Sequence, residues 1–185
     1  MSLLITDVTA EPVTLEEVKL YSKIETPDED AYIGTLISAC RREIEDHCGI
    51  ALAEQVVQTV HDGWPLDERG YPLSIWSPRV PVASVVVSVV DEGGSSSTAV
   101  EAFSLRKGEG RLRPVSDIPD AGTHPDSLTI DWTVGYSVDT QPLPPQLKDA
   151  LLSLIDYRWV NRGSASGGIP ADLCHKINPY KVHQV

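Results

Sequence analysis

Basic charge is what this 185-residue sequence has least of: 15 Lys and Arg stand against 27 Asp and Glu, a formal net charge of −12. Binding a phosphate backbone needs a concentrated cationic footprint, so this balance argues against it. Aromatic residues are scarce at 6%. The core is therefore expected to be aliphatic, and Trp or Tyr residues outside it become candidate contact residues. There are three cysteines, Cys40, Cys48 and Cys174, odd in number and without C-x-x-C spacing. That usage suits a reducing cytosol better than a disulfide framework. No apolar run is long enough to span a bilayer, and Asp7 interrupts the short run Leu3-Leu4-Ile5 that would have to begin a secretory segment.

What is present reads as a folded chain with one core, or a core and a small subdomain. Its 41% apolar and 23% charged residues sit near globular averages, which excludes bulk disorder. Val13–Val18 carries a helix start, with Thr14 as cap, Glu17 completing a capping box and Val13/Val18 as a staple. A second start is expected at Thr26, with Pro27 in the first helical position and Glu29 closing another box. Ile33, Leu36, Ile37, Cys40 and Ile44 then recur at helical spacing, and Gly49 is the stop. The opposite face is charged: Arg41, Arg42, Glu43, Glu45 and Asp46.

From Leu52 the period changes. Strands are expected at Glu54–Val60, Ile75-Trp76 and Val82–Val90, with a return strand at Thr98–Leu105 after the turn Asp91–Ser97. Shorter pieces follow at Arg111–Arg113 and Leu128–Val134. Pro142, Pro144 and Pro145 close this β-region, and Gln146–Val160 is a helix with Leu147, Ala150, Leu151, Leu154 and Ile155 as its buried stripe. Gly163–Gly168 reads as a linker, and Pro170–Ile177 as a final short element.

The expected fold is α+β and mainly helical. N-terminal helices (1–52) pack with a long C-terminal helix (144–162), a small antiparallel β-domain (53–143) is inserted between them, and an extended arm (163–185) ends the chain. Trp132 and Tyr157 fall on core-facing positions, whereas Trp64, in an Asp-Gly-Trp-Pro loop, and Tyr180 have no obvious core.

Tests for chemistry come out negative. His47-Cys48 and His175-Cys174 are adjacent pairs, and adjacent side chains rarely share one ion; no H-x₃₋₅-H spacing exists. Ser95–Ser97 have no G-x-S-x-G context, and the glycine-rich stretches lack the Lys of a phosphate loop. Pairs such as Glu16/Glu17 and Asp28/Glu29 belong to helix N-termini, where negative charge is favoured anyway. No catalytic residue, metal site or cofactor is assigned. What remains is association: an apolar, Pro-bracketed C-terminal segment (Ile169, Leu173, Ile177, Pro179, Tyr180) that needs a surface to cover it. Truncation after Gly163 is accordingly expected to leave the fold intact.

Four blocks in order carry a family likeness: P-V-T-L-E-E-V at Pro12–Val18; the helix Asp30–Leu52; P-R-V-P-V-A-S-V at Pro78–Val85 with W-T-V-G-Y at Trp132–Tyr136; and Pro144–Arg162 ending in Ile177–Lys181. In these the sequence resembles the head–tail connector (adaptor) proteins of long-tailed bacteriophages. The resemblance implies a non-enzymatic virion protein, made in the bacterial host cytoplasm and placed in the head–tail neck. It implies a ring, generally dodecameric, under the portal protein, through which DNA passes without sequence-specific binding. A head-completion or tail-terminator protein would bind its other side, and no membrane is involved. Candidate portal-binding residues are Ile177, Asn178, Pro179, Tyr180 and Lys181. Candidate subunit-interface residues are Arg41, Arg42, Glu45, Arg158 and Arg162. The alternatives are an assembly factor absent from the mature particle, and a host enzyme or ligand-binding protein.

Overall fold

The computed structural model describes residues 2–5, 8–90, 96–98, 103–114, 125–137, 141–162 and 168–182. The expected hairpin tip at Asp91–Ser95 and the Gly163–Gly167 stretch of the expected linker lie outside them. The chain forms two compact units: Met1–Val8 with Glu54–Gly135, and Thr9–Ala53 with Tyr136–Val185.

The first unit is built of antiparallel strands. β1 (Ser2–Ile5), β2 (Gln55–His61), β4 (Val82–Val90), β5 (Ser96–Thr98) and β8 (Leu128–Val134) form one sheet in the order β1-β2-β8-β4-β5. β8 alternates strictly: Leu128, Ile130, Trp132 and Val134 are all fully buried, while the residues between them are half-buried. β4 keeps that face only by means of an irregularity at Val82/Ser84, which shifts its register against β8. The shift lets Val82 and then Val87 and Val89 point inward although their spacing is odd. Across the β2–β8 pair, the Trp132 indole N–H donates to Thr59 Oγ1 at 3.0 Å, so the largest core side chain buries no unpaired donor.

A second, three-stranded sheet has the order β3-β7-β6, from β3 (Ile75–Trp76), β6 (Phe103–Arg106) and β7 (Arg111–Pro114). The expected single return strand at Thr98–Leu105 is therefore two strands in two sheets: β5 pairs with β4, whereas β6 pairs with β7. Gly110 sits in the β6–β7 turn at φ 65°, and a Cβ there would lie 2.7 Å from Val80 Cγ1. No other residue fits that turn without moving its neighbours. The loop Trp64 packs back on its own unit, stacked on Phe103 with ring centroids 4.8 Å apart.

The second unit is helical: α1 (Leu15–Ser22), α2 (Asp30–Cys48), α3 (Pro145–Val160) and α4 (Ala171–Ile177), followed by a 3-10 turn at Asn178–Tyr180. α1 starts with the expected capping box, and Val13 and Val18 are buried. α3 buries the expected stripe, Leu147, Ala150, Leu151, Leu154 and Ile155. α2 ends at Gly49 in the left-handed conformation.

Four expectations are corrected. Residues 2–5, expected in the helical segment, form a strand, because the alternating backbone of β2 offers them an antiparallel edge. α2 begins at Asp30 and not after Thr26; Glu29 makes no capping bond there and is held by Arg162 instead. Tyr157 is exposed, one turn beyond the inward stripe. The end of the chain is not an extended arm: its α4 packs on α3 and buries Leu173 and Ile177.

Candidate functional site

The C-terminal segment is the first candidate surface. It is sealed onto its own helical unit by side chains and backbone together. Ile177 is 1% exposed, and the Val182 N–H donates to the Cys48 carbonyl at 2.8 Å. Tyr180 Oη donates to Gln146 Oε1 at 3.2 Å, and Asn178 Oδ1 lies 3.4 Å from His47 Nε2. Of the five expected portal residues, Ile177 is thus an anchor in the core and Tyr180 a half-buried tie. Asn178, Pro179 and Lys181 are the exposed ones.

The second candidate, the charged face of α2, is split by the fold. Arg41 and Glu45 were expected outward; they are 3% and 1% exposed. Arg41 Nη1 donates to Glu45 Oε2 at 2.9 Å, and Arg41 Nε donates to Glu11 Oε2 at 2.8 Å. Glu45 Oε1 accepts the Leu52 N–H at 2.8 Å, and Glu11 Oε1 accepts Ser38 Oγ at 2.8 Å. The cause is geometric. A guanidinium holds two carboxylates in a fixed fork, so it crosslinks the segment before α1, the middle of α2 and the chain leaving α2. Arg41 and Glu45 are therefore internal struts and present no charge to another molecule. Arg42 and Asp46, on the other side of α2, are exposed.

Arg158 and Arg162 also turn inward upon their own unit. Arg158 Nη2 donates to both Glu43 oxygens, at 2.9 and 3.0 Å, and to the Gly168 carbonyl at 3.1 Å. Arg162 forks onto Glu29, with Nη1 to Oε1 at 2.6 Å and Nη2 to Oε2. Its guanidinium also lies 3.7 Å over Trp159 and 5.2 Å from the Tyr32 ring centre. The hydrogen bond from Arg162 holds the Glu29 carboxyl below the usual carboxylate range. Glu17 is lowered too, first by its bond from Lys148 and then by the Thr14 amide. Glu11 and Ser38 are the partners that sequence reasoning missed; Glu11 stands before the Pro12–Val18 block with no periodic signal of its own.

Cys40 and Cys48 are buried in the helical unit. Burial pushes Cys40 up to about 12 and Cys48 up to about 11, so both stay protonated at neutral pH. Among the described residues, no group of three His, Cys, Asp or Glu side chains is arranged to hold a metal ion. No helix among them is long and apolar enough to cross a membrane.

Known structures share this fold. A chain in the neck of an empty gene transfer agent particle, determined with C6 symmetry, superposes with TM-score 0.80 at 19% identity, over 100% of this chain and 97% of that one. A chain from the virion of a native gene transfer agent gives 0.76 at 21% identity, again over 100% and 97%. A third, from the native neck determined with C12 symmetry, gives 0.66 at 20% identity over 98% and 97%. No curated protein matches the chain. The family model described as head completion protein matches residues 11–168, from Glu11 of the buried ion network to the Gly168 carbonyl bound by Arg158. On a match of that extent, the chain belongs to the head completion protein family.

Proposed function

We propose that the chain is a structural subunit of the head–tail neck of a tailed bacteriophage, prophage or gene transfer agent particle. In this reading it is made in the bacterial cytoplasm and acts without catalysis. It forms a ring beneath the portal, extends the DNA channel and joins it to a head-completion or tail-terminator protein. The observation that carries the reading is the head completion family match over residues 11–168. The neck chains that share the fold lend support, since they come from necks determined with C6 and C12 symmetry. Heterologous contacts that close give such rings. Twelve copies of a −12 chain would carry on the order of a hundred or more negative charges, which lets DNA pass without adhering.

The portal contact is assigned to the exposed positions of the C-terminal segment, Asn178, Pro179 and Lys181, with Ile177 and Tyr180 fixing the segment behind them. Mass spectrometry of purified particles tests the reading: the chain is expected among the virion proteins. Its absence would make it an assembly factor that leaves before maturation. Electron microscopy of the isolated neck is expected to show it as a ring.

A further inference from the structure

The small sheet has two unlike faces. Its inward row runs Ile75, Leu112, Leu105 across the three strands, and Ile75 and Leu112 are 6% and 1% exposed. The other row runs Trp76, Arg111, Arg106, with Arg113 opposite Ser104 one step along. Side chains two apart on a strand share a face about 6.8 Å apart, and directly paired residues stand about 5 Å apart. Three arginines therefore converge beside one tryptophan. Trp76 is 43% exposed, and Arg111 lies 5.2 Å from its ring centre. A cleft of about 330 Å³ opens between Ser104, Arg106, Arg111, Arg113 and Pro114.

Among the described residues, this face carries more cations than anions to balance them. Like charges placed directly opposite each other, as Arg106 and Arg111 are, destabilise a ribbon. Arg111 Nε is buried without a hydrogen-bond partner. Among the described residues the carboxylate on the cluster is Glu109, 3.3 Å from Arg106 on a pair at least half exposed, and so worth little.

We propose that the Trp76, Arg106, Arg111 and Arg113 face docks onto the carboxylate-bearing surface of a second copy of this chain. The inference rests on the ring reading and names one of its subunit contacts. Charge complementarity identifies the occupant. Residues 103–114 hold four cations (Arg106, Lys107, Arg111, Arg113) and one anion (Glu109), a net of +3, which leaves −15 on the remainder of a −12 chain. A neighbouring copy thus brings the anions that the ribbon lacks. The composition agrees, since Trp and Arg dominate the energetic centres of protein interfaces. DNA is the disfavoured occupant: three phosphate contacts give only weak binding, and the remaining −15 repels a polyanion.

Sedimentation velocity of the full chain tests this at ionic strengths of about 0.01 and 0.1 M, where charges are screened beyond about 30 and 10 Å. Self-association is expected at the lower salt and weaker at the higher. Arg111→Glu with Arg113→Glu should reduce it by about tenfold or more, as should Trp76→Ala. Arg113→Glu alone, at an exposed position, serves if the double variant fails to fold, and thermal melting checks each variant. Unchanged association in the variants, or none at low salt, overturns the proposal. So does salt-sensitive binding of a random-sequence duplex that the same substitutions abolish, which would make DNA the occupant. Failure of the neck reading shows separately, as absence of the chain from purified particles.

Discussion

The two units achieve cohesion by different means. In the strand unit, the core of β8 and its neighbours rests on apolar alternation, with a neutral hydrogen bond from Trp132 to Thr59. The helical unit adds to its apolar stripes a buried ion network, Glu11–Arg41–Glu45, and a ring of partly exposed pairs at Glu17–Lys148, Glu43–Arg158 and Glu29–Arg162. Apolar burial is non-directional and tolerates small shifts, whereas a forked guanidinium fixes its partners in one arrangement. The contrast teaches where charge serves the fold and where it is left for others. In the helical unit Arg41, Arg158 and Arg162 are used internally, whereas on the small sheet Arg106, Arg111 and Arg113 gather with one exposed carboxylate, Glu109, among the described residues.

The largest effect expected is from removing residues 169–185. Deletion uncovers the sites of Leu173 and Ile177 and frees the Cys48 carbonyl. Each such aliphatic loss costs about 2–5 kcal/mol, so the helical unit should melt at a much lower temperature by circular dichroism. This reverses the sequence-based expectation that truncation leaves the fold intact, and an unchanged melt would restore it.

Next come two substitutions of similar size but different character. Trp132→Ala should cost about 3–5 kcal/mol through lost burial. Arg41→Met should cost about 3–5 kcal/mol because it strands Glu45 in the interior without its cation. Urea unfolding separates them when Glu45→Gln is added to each: it should recover part of the Arg41→Met deficit by removing the stranded charge, and none of the Trp132→Ala deficit. Equal effects would break the contrast between the units.

Thr59→Val is the milder probe of the strand unit. It leaves the buried indole N–H unpaired and should cost about 1–3 kcal/mol. The smallest effect concerns His61, which burial holds below its ordinary value of 6.5, with Asp62 opposing the shift. The unfolded chain therefore binds more protons in that window, so stability is complete above about pH 6.5 and falls as pH drops below it. Replacing His61 with Gln should flatten this slope in denaturant titrations at roughly pH 7.5 and 5.5.

Legibility in the sequence followed locality. The capping box at Thr14/Glu17, the stop at Gly49, the bounds of Val82–Val90 and Leu128–Val134 and the inward stripe of α3 all show in residue types and spacing within a few positions, and periodicity reports those directly. The second helix start was misread because Glu29 has a stronger partner 133 positions away, in Arg162. The split of Thr98–Leu105 between two sheets was invisible for the same reason, since strand partners are chosen across the chain. The cationic face did have a trace, Arg-Lys-Gly-Glu-Gly-Arg-Leu-Arg at 106–113, a turn with arginines at alternate positions. Its neighbour Trp76 lies thirty residues earlier and joins it only through the β3–β7 pairing.

By itself the sequence determined which segments are helix or strand, which side chains face inward along most of them, and the family order of its blocks. These follow from spacing, and spacing is a property of the chain. Only the tertiary structure decided the fate of the charges. An Arg on a helix surface and an Arg in a buried fork have the same local pattern, and the difference between them is the distance to carboxylates at remote positions. That distance puts Arg41 inside, ties Arg158 and Arg162 to their own unit, and leaves Arg106, Arg111 and Arg113 gathered beside Trp76.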